Sequence, residues 1–271
     1  MMAQAPFVEQ FAGKVAAITG GTQGLGEATA RLFAARGAAG IAICGRNRER
    51  GERIARELDE AGCPTLYVTA DLAQMEQCRG FIDAAERRFE RLDVLVNCAA
   101  ATDRGRLETT TEEIWDTLFT LNVKSQFFLI QRAVEVMRRH KIAGAIANIG
   151  TIVAHGGPPF LIAYSASKGA LMTMTRGLAN ALKHDRIRIN TLNIGWTNTP
   201  REHIVQTEVH GRPQDWLAKV SPDLPFGRLI QPDEVARALA FLTSEESGLL
   251  TGAVIDFDQQ IIGTMPDQPE V

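Results

Sequence analysis

Tyr164 and Lys168 stand four residues apart in the run Tyr164-Ser165-Ala166-Ser167-Lys168. On a helix that spacing puts a phenol and an ammonium on one face. A tyrosine ionises near pH ~10 and is a poor acid–base at neutrality. A cation about 4 Å away favours the phenolate by roughly 4 kcal/mol at an effective dielectric near 20, about three pKa units. Such a pair can trade a proton with an oxygen held against it. Alone, the spacing arises by chance, and a solvated surface pair is its plain alternative. A second candidate is the turn Thr19-Gly20-Gly21-Thr22-Gln23-Gly24-Leu25-Gly26. Glycines let a backbone turn tightly and approach a pyrophosphate, whose charge then faces the free N–H groups of the following helix.

Groups so far apart in the chain need a scaffold to bring them together. The 271 residues are 45% hydrophobic and 23% charged, the mix of a folded globule rather than a disordered or collagen-like chain. A domain this long buries a core without disulfides or a structural metal. Short apolar runs predict strands at Val15–Thr19, Ile41–Cys44, Thr65–Thr69, Asp93–Asn97, Gly144–Ile149, Arg188–Asn193 and Ala253–Phe257. Helical periodicity predicts helices at Gly24–Arg36, Arg48–Glu60, Met75–Phe89, Tyr164–Lys183 and Pro232–Thr243, with one or two more in Glu112–Arg139. Strands alternating with helices imply βαβ units and a parallel sheet. Continuously apolar strands imply helices on both of its faces. Gly195–Gln231 fits poorly, with Pro200, Pro213, Pro222 and Pro225, two tryptophans and two histidines. A long irregular excursion of this kind is a lid or binding loop; a decorated surface insertion is the alternative.

A net charge of −3 and a pI of about 6.0 give no basic bias toward a nucleic-acid partner. Cys44, Cys63, Cys78 and Cys98 show no C-x-x-C spacing and read as buried reduced thiols, with no metal site. Met1–Phe11 lacks the basic start and apolar core of a signal peptide. No apolar stretch reaches the ~20 residues of a membrane helix, so the expectation is a cytoplasmic protein without a membrane partner.

The glycine turn, Asn97-Cys98-Ala99-Ala100, Asn122 and the Tyr164/Lys168 pair recur in the order and spacing of the short-chain dehydrogenase/reductase family. The chain resembles that family from about Lys14 to Phe257. The resemblance implies an α/β fold: a single Rossmann-like doubly wound domain over residues 1–271, with a mostly parallel seven-stranded sheet and helices on both faces. Residues 195–231 would be its substrate-binding loop region. It implies an oxidoreductase that moves a hydride between a nicotinamide cofactor and a secondary alcohol or ketone. Tyr164 would be the general acid–base. Lys168 would lower its pKa and hold the nucleotide ribose. Asn122 would anchor a water in a proton relay. Thr151 stands where the family usually has a serine, and its hydroxyl can make the same bonds to the substrate oxygen. Gly20, Thr22, Gln23, Gly24, Leu25 and Gly26 would cradle the phosphates, and Asp71 and Leu72 would meet the adenine. Ala99, Gly195, Thr197 and Thr199 would lie along the nicotinamide side. Asn97 would either contact the cofactor or bridge the sheet centre, and Asp71 would equally serve as a helix cap. Two departures stand out: Asn97-Cys98-Ala99-Ala100 replaces N-N-A-G, and Ile194-Gly195 lacks the family's proline.

At the end of the second strand a carboxylate would bind a ribose 2′-hydroxyl and repel a 2′-phosphate. That position holds Gly45, followed by Arg46. A guanidinium suits a phosphate, so NADP(H) is favoured over NAD(H), and Gly45→Asp is expected to shift the preference. For the substrate, Phe160, Trp196 and Trp216 are candidate apolar walls. His155 is a candidate hydrogen-bonding group, or else a structural or solvated histidine. The partner is a small carbonyl or alcohol. The resemblance further implies a homo-oligomer, commonly a tetramer, with Ala253–Gly263 available to assembly. The competing readings are an NAD(P)-binding regulatory protein with little or no turnover, supported by Thr151 and the altered Asn97–Ala100 segment, and an epimerase or dehydratase. The last needs a separate substrate domain for which the chain is short.

Overall fold

The computed structural model describes residues 9–264; the first eight residues, and so most of Met1–Phe11, lie outside the described part. The chain order is β1 (Val15–Thr19), α1 (Gly24–Ala35), β2 (Gly40–Gly45), α2 (Arg48–Glu60), β3 (Thr65–Thr69), α3 (Met75–Phe89) and β4 (Val94–Asn97). Then come α4 (Glu112–Phe119), α5 (Ser125–Arg139), β5 (Ala145–Thr151), α6 (Ile162–Leu182), β6 (Arg188–Ile194), α7 (Pro200–Ile204), α8 (Trp216–Val220), α9 (Pro232–Thr243) and β7 (Val254–Phe257). The seven strands form one sheet in the order β3-β2-β1-β4-β5-β6-β7. Every pairing in it is parallel.

The alternation of side chains along each strand divides the core in two. Val15 and Ala17 of β1 face Phe81 and Ile82 of α3, Leu129 and Ile130 of α5, and Leu182 of α6. Ala16 and Ile18 face Ala30 and Phe33 of α1, Ile54 and Leu58 of α2, and Val235 and Leu239 of α9. Each large side chain fully withdrawn from water contributes about 1.5–3 kcal/mol, so both helical layers are held by the strands between them. The described residues include no helix long and apolar enough to cross a membrane.

Local chemistry sets several boundaries. Just before the fourth strand, the Asp93 backbone already bonds to Val15 and Ala145 on the neighbouring strands, each at 2.9 Å, while its carboxylate accepts from the Val15 N–H at 2.9 Å and is clasped by Arg91. The Glu112–Arg139 stretch is two helices, joined by a π turn at Thr120–Lys124 that carries Asn122. A π turn inserts one residue and rotates the helix beyond it, a device often met at functional sites. The Gly195–Gln231 excursion contains α7, a π turn at Val205–Val209 and α8. Thr199 caps α7, with Pro200 at its first position. A strip of buried polar side chains crosses the middle of the sheet. Thr19, Asn97, Asn148 and Thr191 sit in register on adjacent strands. Asn97 Nδ2 donates to Asn148 Oδ1 at 2.9 Å and Asn148 Nδ2 to Thr175 Oγ1 at 3.1 Å, while Thr175 and Thr191 hydroxyls meet at 2.7 Å.

Candidate active site

The chain reverses direction of winding at β1, whose neighbours are β2 and β4. Ligands of such sheets bind beyond the carboxyl ends of the strands at that switch point. A cavity of about 1040 Å³ lies there. The sheet order lays out its walls: Gly45, Arg46 and Asp71 beyond β2 and β3, the glycine turn after β1, Ala99 after β4, Thr151 at the end of β5, and Gly195 after β6.

The glycine turn fits a dinucleotide. Gly24 opens α1 at φ +56, and Gln23 makes no side-chain cap there, so the first N–H groups of the helix are left for an anion. A methyl group on Gly26 would lie 2.4 Å from the Gly20 carbonyl oxygen, which no side chain can occupy. Gly20, Thr22, Gln23, Gly24, Leu25, Gly26, Gly45, Arg46, Asp71, Leu72, Ala99, Gly195, Thr197 and Thr199 all line the cavity. Arg46 is exposed and makes no ion pair or side-chain hydrogen bond among the described residues. Asp71 borders the cavity, and its Oδ1 accepts from the Ala73 N–H at 3.1 Å within a turn; it does not cap the next helix, whose N-cap position is Gln74. Gly45 is tighter than the sequence suggests. A Cβ there would lie 2.7 Å from Thr22 Oγ1 and 2.8 Å from its Cγ2, and Thr22 is itself buried in the turn.

Tyr164, Lys168 and Thr151 meet on the same wall. The pair on α6 does share a face, yet its electrostatics differ from the sequence expectation. Lys168 is 1% exposed and donates to the Ile149 carbonyl at 2.7 Å; burial lowers its pKa to about 8. Burial pushes the Tyr164 phenol up to about 12. The groups that oppose this are the Thr151 hydroxyl, a hydrogen-bonding neighbour of the phenol, and the Arg104 charge; Glu202 works against them. Thr151 is thus the hydroxyl that acts most directly on the tyrosine.

Four expected site residues do not line the cavity: Asn97, His155, Asn122 and, at the far end, Trp216. Asn97 is fully buried in the polar strip, the sheet-bridging alternative. His155 is turned away: its Nε2 lies 2.9 Å from Asp256 Oδ1, which also accepts from Asn193 Nδ2 at 3.0 Å. It is a structural histidine, because a carboxylate 101 residues onward on β7 captures its ring. Asn122 is fully buried as well. Its Oδ1 accepts from the Ala101 N–H at 2.9 Å, and its Nδ2 donates to the Ala101 carbonyl and to Ser167 Oγ, each at 3.0 Å. That geometry makes Asn122 a brace between the loop after β4 and the residue preceding Lys168. Asn122→Leu would strand both Ala101 backbone groups at about 1–3 kcal/mol each. The expected outcome is a clear fall in the denaturation midpoint together with a weaker kcat; an unchanged midpoint would remove the brace.

The far end of the cavity is built by the excursion. Trp196 lines it, but Trp216 does not: at 1% exposure it lies behind Trp196, stacked at 5.6 Å and 23°. Trp216 also donates to His203 Nδ1 at 3.3 Å, so it anchors the excursion rather than walling the cavity. Phe160 does line it, with His210 edge-on to its ring at 6.0 Å. Sequence reasoning missed Arg104, Glu202 and Asp258, all of which line the cavity. A Cβ on Gly195 would lie 1.8 Å from Asp258 Oδ1; the glycine makes room for that carboxylate. No period or motif marks any of the three. All four cysteines are free thiols, and burial pushes Cys44 and Cys98 up to about 12.

Comparison with known proteins identifies relatives along nearly the whole chain. A family model described as enoyl-(acyl carrier protein) reductase matches residues 20–259. The cis-4-hydroxycyclohexanecarboxylate dehydrogenase of Sinomonas cyclohexanicum is 34% identical over 254 residues, covering 92% of this chain and 97% of that protein. The cyclopentanol dehydrogenase of Comamonas sp. is 32% identical over 246 residues, covering 90% and 95%. A solved structure titled short chain dehydrogenase/reductase family protein superposes with a TM-score of 0.78 at 31% identity, covering 92% of this chain and 97% of that one. With its seven-stranded sheet, its glycine turn and these relatives along nearly its whole length, the chain belongs to the short-chain dehydrogenase/reductase family of NAD(P)-dependent oxidoreductases, which act on CH–OH groups.

Proposed function

We propose that the protein interconverts a cyclic secondary alcohol and its ketone, uses NADP(H) in preference to NAD(H), and moves the proton through Tyr164. The observation that carries this reading is the convergence of Tyr164 and Thr151 on one wall of a cavity whose other end is the uncapped glycine turn. The relatives named for a hydroxycyclohexanecarboxylate and for cyclopentanol support the ring alcohol. The unpaired Arg46 beside Gly45 supports the 2′-phosphate. Residues 195–231 serve as the substrate-binding region of one domain.

The bound nicotinamide supplies or accepts the hydride. The chain's own residues do the rest. The glycine turn and the start of α1 hold the phosphates. Thr151 hydrogen-bonds the reacting oxygen. Tyr164 gives that oxygen a proton during reduction and takes one during oxidation. Trp196 and Phe160 exclude water from the ring. Lys168, held by the Ile149 carbonyl, places a positive charge beneath the site. Asn122 keeps α6 and the loop after β4 in place and needs no share in the proton path.

The test follows reduced-nicotinamide absorbance with cyclohexanol, cyclopentanol and their ketones, using both nucleotides. Turnover with NADP(H) is expected in both directions, and its absence with every ring substrate would overturn the reading. Thr151→Ser should retain activity, whereas Thr151→Val removes a donor to the developing oxyanion and should cost about 10²-fold in kcat. An active Val variant would take Thr151 out of the mechanism.

The pH dependence comes from the two shifted groups. A phenol pushed up to about 12 is protonated throughout the neutral range, so reduction always finds its proton. Oxidation needs the phenolate, whose fraction grows about tenfold per pH unit below that value. Lys168 loses its charge above about 8. The kcat/KM for oxidation is therefore expected to climb with pH from 6 to 8, while that for reduction stays level and then falls above about 8. A level oxidation profile would contradict the assignment.

A further inference from the structure

Arg104 lies on the loop after β4, away from every predicted motif, and lines the cavity together with Tyr164, Phe160 and Trp196. Its Nε is buried and has no hydrogen-bond partner. Its guanidinium carbon stands 6.0 Å from the centre of the Phe160 ring. Arg212, from the excursion, lines the same end of the cavity, its guanidinium carbon 5.8 Å from the centre of Trp196. Neither arginine forms an ion pair or a side-chain hydrogen bond among the described residues. Other arginines near the core do: Arg31, Arg91 and Arg132 each hold a carboxylate.

The acid at this end does not neutralise the pair. Glu202 Oε1 already accepts from Trp196 Nε1 at 2.7 Å and from Gln206 Nε2 at 2.5 Å. Asp258 and Arg201 also line the cavity and cancel each other in formal charge. Two arginines against Glu202 thus leave the substrate end with an excess positive charge, and a buried guanidinium N–H without an acceptor is costly. An anion carried on the ligand would supply the missing acceptor. The phosphates of the nucleotide belong at the glycine turn, beyond the opposite side of Tyr164. Apolar rings flank both guanidinium groups, so the anion they would meet is carried on an apolar body.

We propose that Arg104, backed by Arg212, binds a carboxylate on the substrate at the end remote from the reacting carbinol, so that the substrate class is a hydroxy or oxo acid built on a ring rather than an unsubstituted ring alcohol. The proposal rests on the proposed alcohol–ketone reading for the ring and for the position of the reacting carbon; the carboxylate is argued from the two arginines alone. A guanidinium binds a carboxylate through two parallel bonds, a geometry that also fixes which carbon of the ring reaches Tyr164.

Two unreactive probes separate this from catalysis: cyclohexanecarboxylate, and cyclohexanecarboxamide, which has nearly the same shape and no charge. Each is titrated into the protein loaded with NADP+, followed by intrinsic tryptophan fluorescence and by calorimetry. The carboxylate is expected to bind at least about tenfold more tightly than the amide. Arg104→Gln and Arg104→Met should bring the two within about twofold, with NADPH affinity unchanged as the control for folding. Arg104→Lys should retain part of the difference. Equal binding of acid and amide by the parent protein, or a preference that survives Arg104→Gln, would overturn the proposal. Neither probe carries a hydroxyl, so a protein that prefers the acid yet turns over no ring alcohol or ketone, with or without a carboxylate on the ring, would strike down the hydride-transfer reading and leave the carboxylate site standing.

Discussion

Tyr164→Phe is expected to lower turnover about 10²–10⁴-fold, the usual worth of a positioned acid–base group, while NADPH binding stays within about twofold. The substitution removes one oxygen and leaves the ring that packs beside Ala101 and Leu118. It leaves the glycine turn, Lys168 and the polar strip untouched. The Thr151 hydroxyl loses its phenolic neighbour but remains able to hold the substrate oxygen. The loss should therefore fall on kcat, with KM for the nucleotide unmoved. Steady-state kinetics with a ring ketone, alongside a binding titration of NADPH, checks both halves. A Phe variant that works at the parental rate places the proton elsewhere, and Thr151 would be the next hydroxyl to examine.

Arg46→Asp should lower kcat/KM for NADPH about a hundredfold and leave NADH within about threefold. A charge-assisted bond to a phosphate is worth about 1.5–3 kcal/mol, and reversal of the charge adds repulsion. Arg46 is a better place for this test than Gly45, although the sequence draws attention to Gly45 first. Any side chain on Gly45 must push Thr22 aside, and Thr22 belongs to the turn proposed to hold the phosphates. Gly45→Asp would disturb both nucleotides at once and confuse selectivity with damage. Arg46 is exposed, with nothing to displace. If the ratio of the two nucleotides does not move in Arg46→Asp, the 2′-phosphate assignment is wrong.

Much of the architecture is legible in one dimension because hydrophobic period is a local property. The five residues of β1 are all buried, and Ile54, Ala55 and Leu58 of α2 face inward as their spacing indicates. Tyr164 and Lys168 sit on one face of α6 for the same reason. What their mutual effect would be is not local. Coulomb attraction at an assumed distance of about 4 Å favours the phenolate, but α6 packs so closely on the sheet that loss of water outweighs it. Lys168 turns to a backbone carbonyl instead. His155 illustrates a second limit, since the partner that removes it from the cavity is 101 residues away. Trp216 illustrates a third: an apolar residue in a proline-rich excursion reads equally as wall or as anchor until the excursion's own packing is known. Arg104, Glu202 and Asp258 escape notice because loops position side chains by tertiary packing, which leaves no period to find.

The polar strip from Thr19 to Thr191 has a consequence for how the sheet finds its alignment. A one-residue slip of β4 or β5 would turn Asn97 or Asn148 into the hydrocarbon of a helical layer with no mate for its amide. Misaligned sheets are penalised several times over, whereas an all-aliphatic centre would tolerate them. The cavity walls hang from those same strand ends, so the spacing between nucleotide and substrate is set, before any ligand arrives, by amides and hydroxyls that never touch either one.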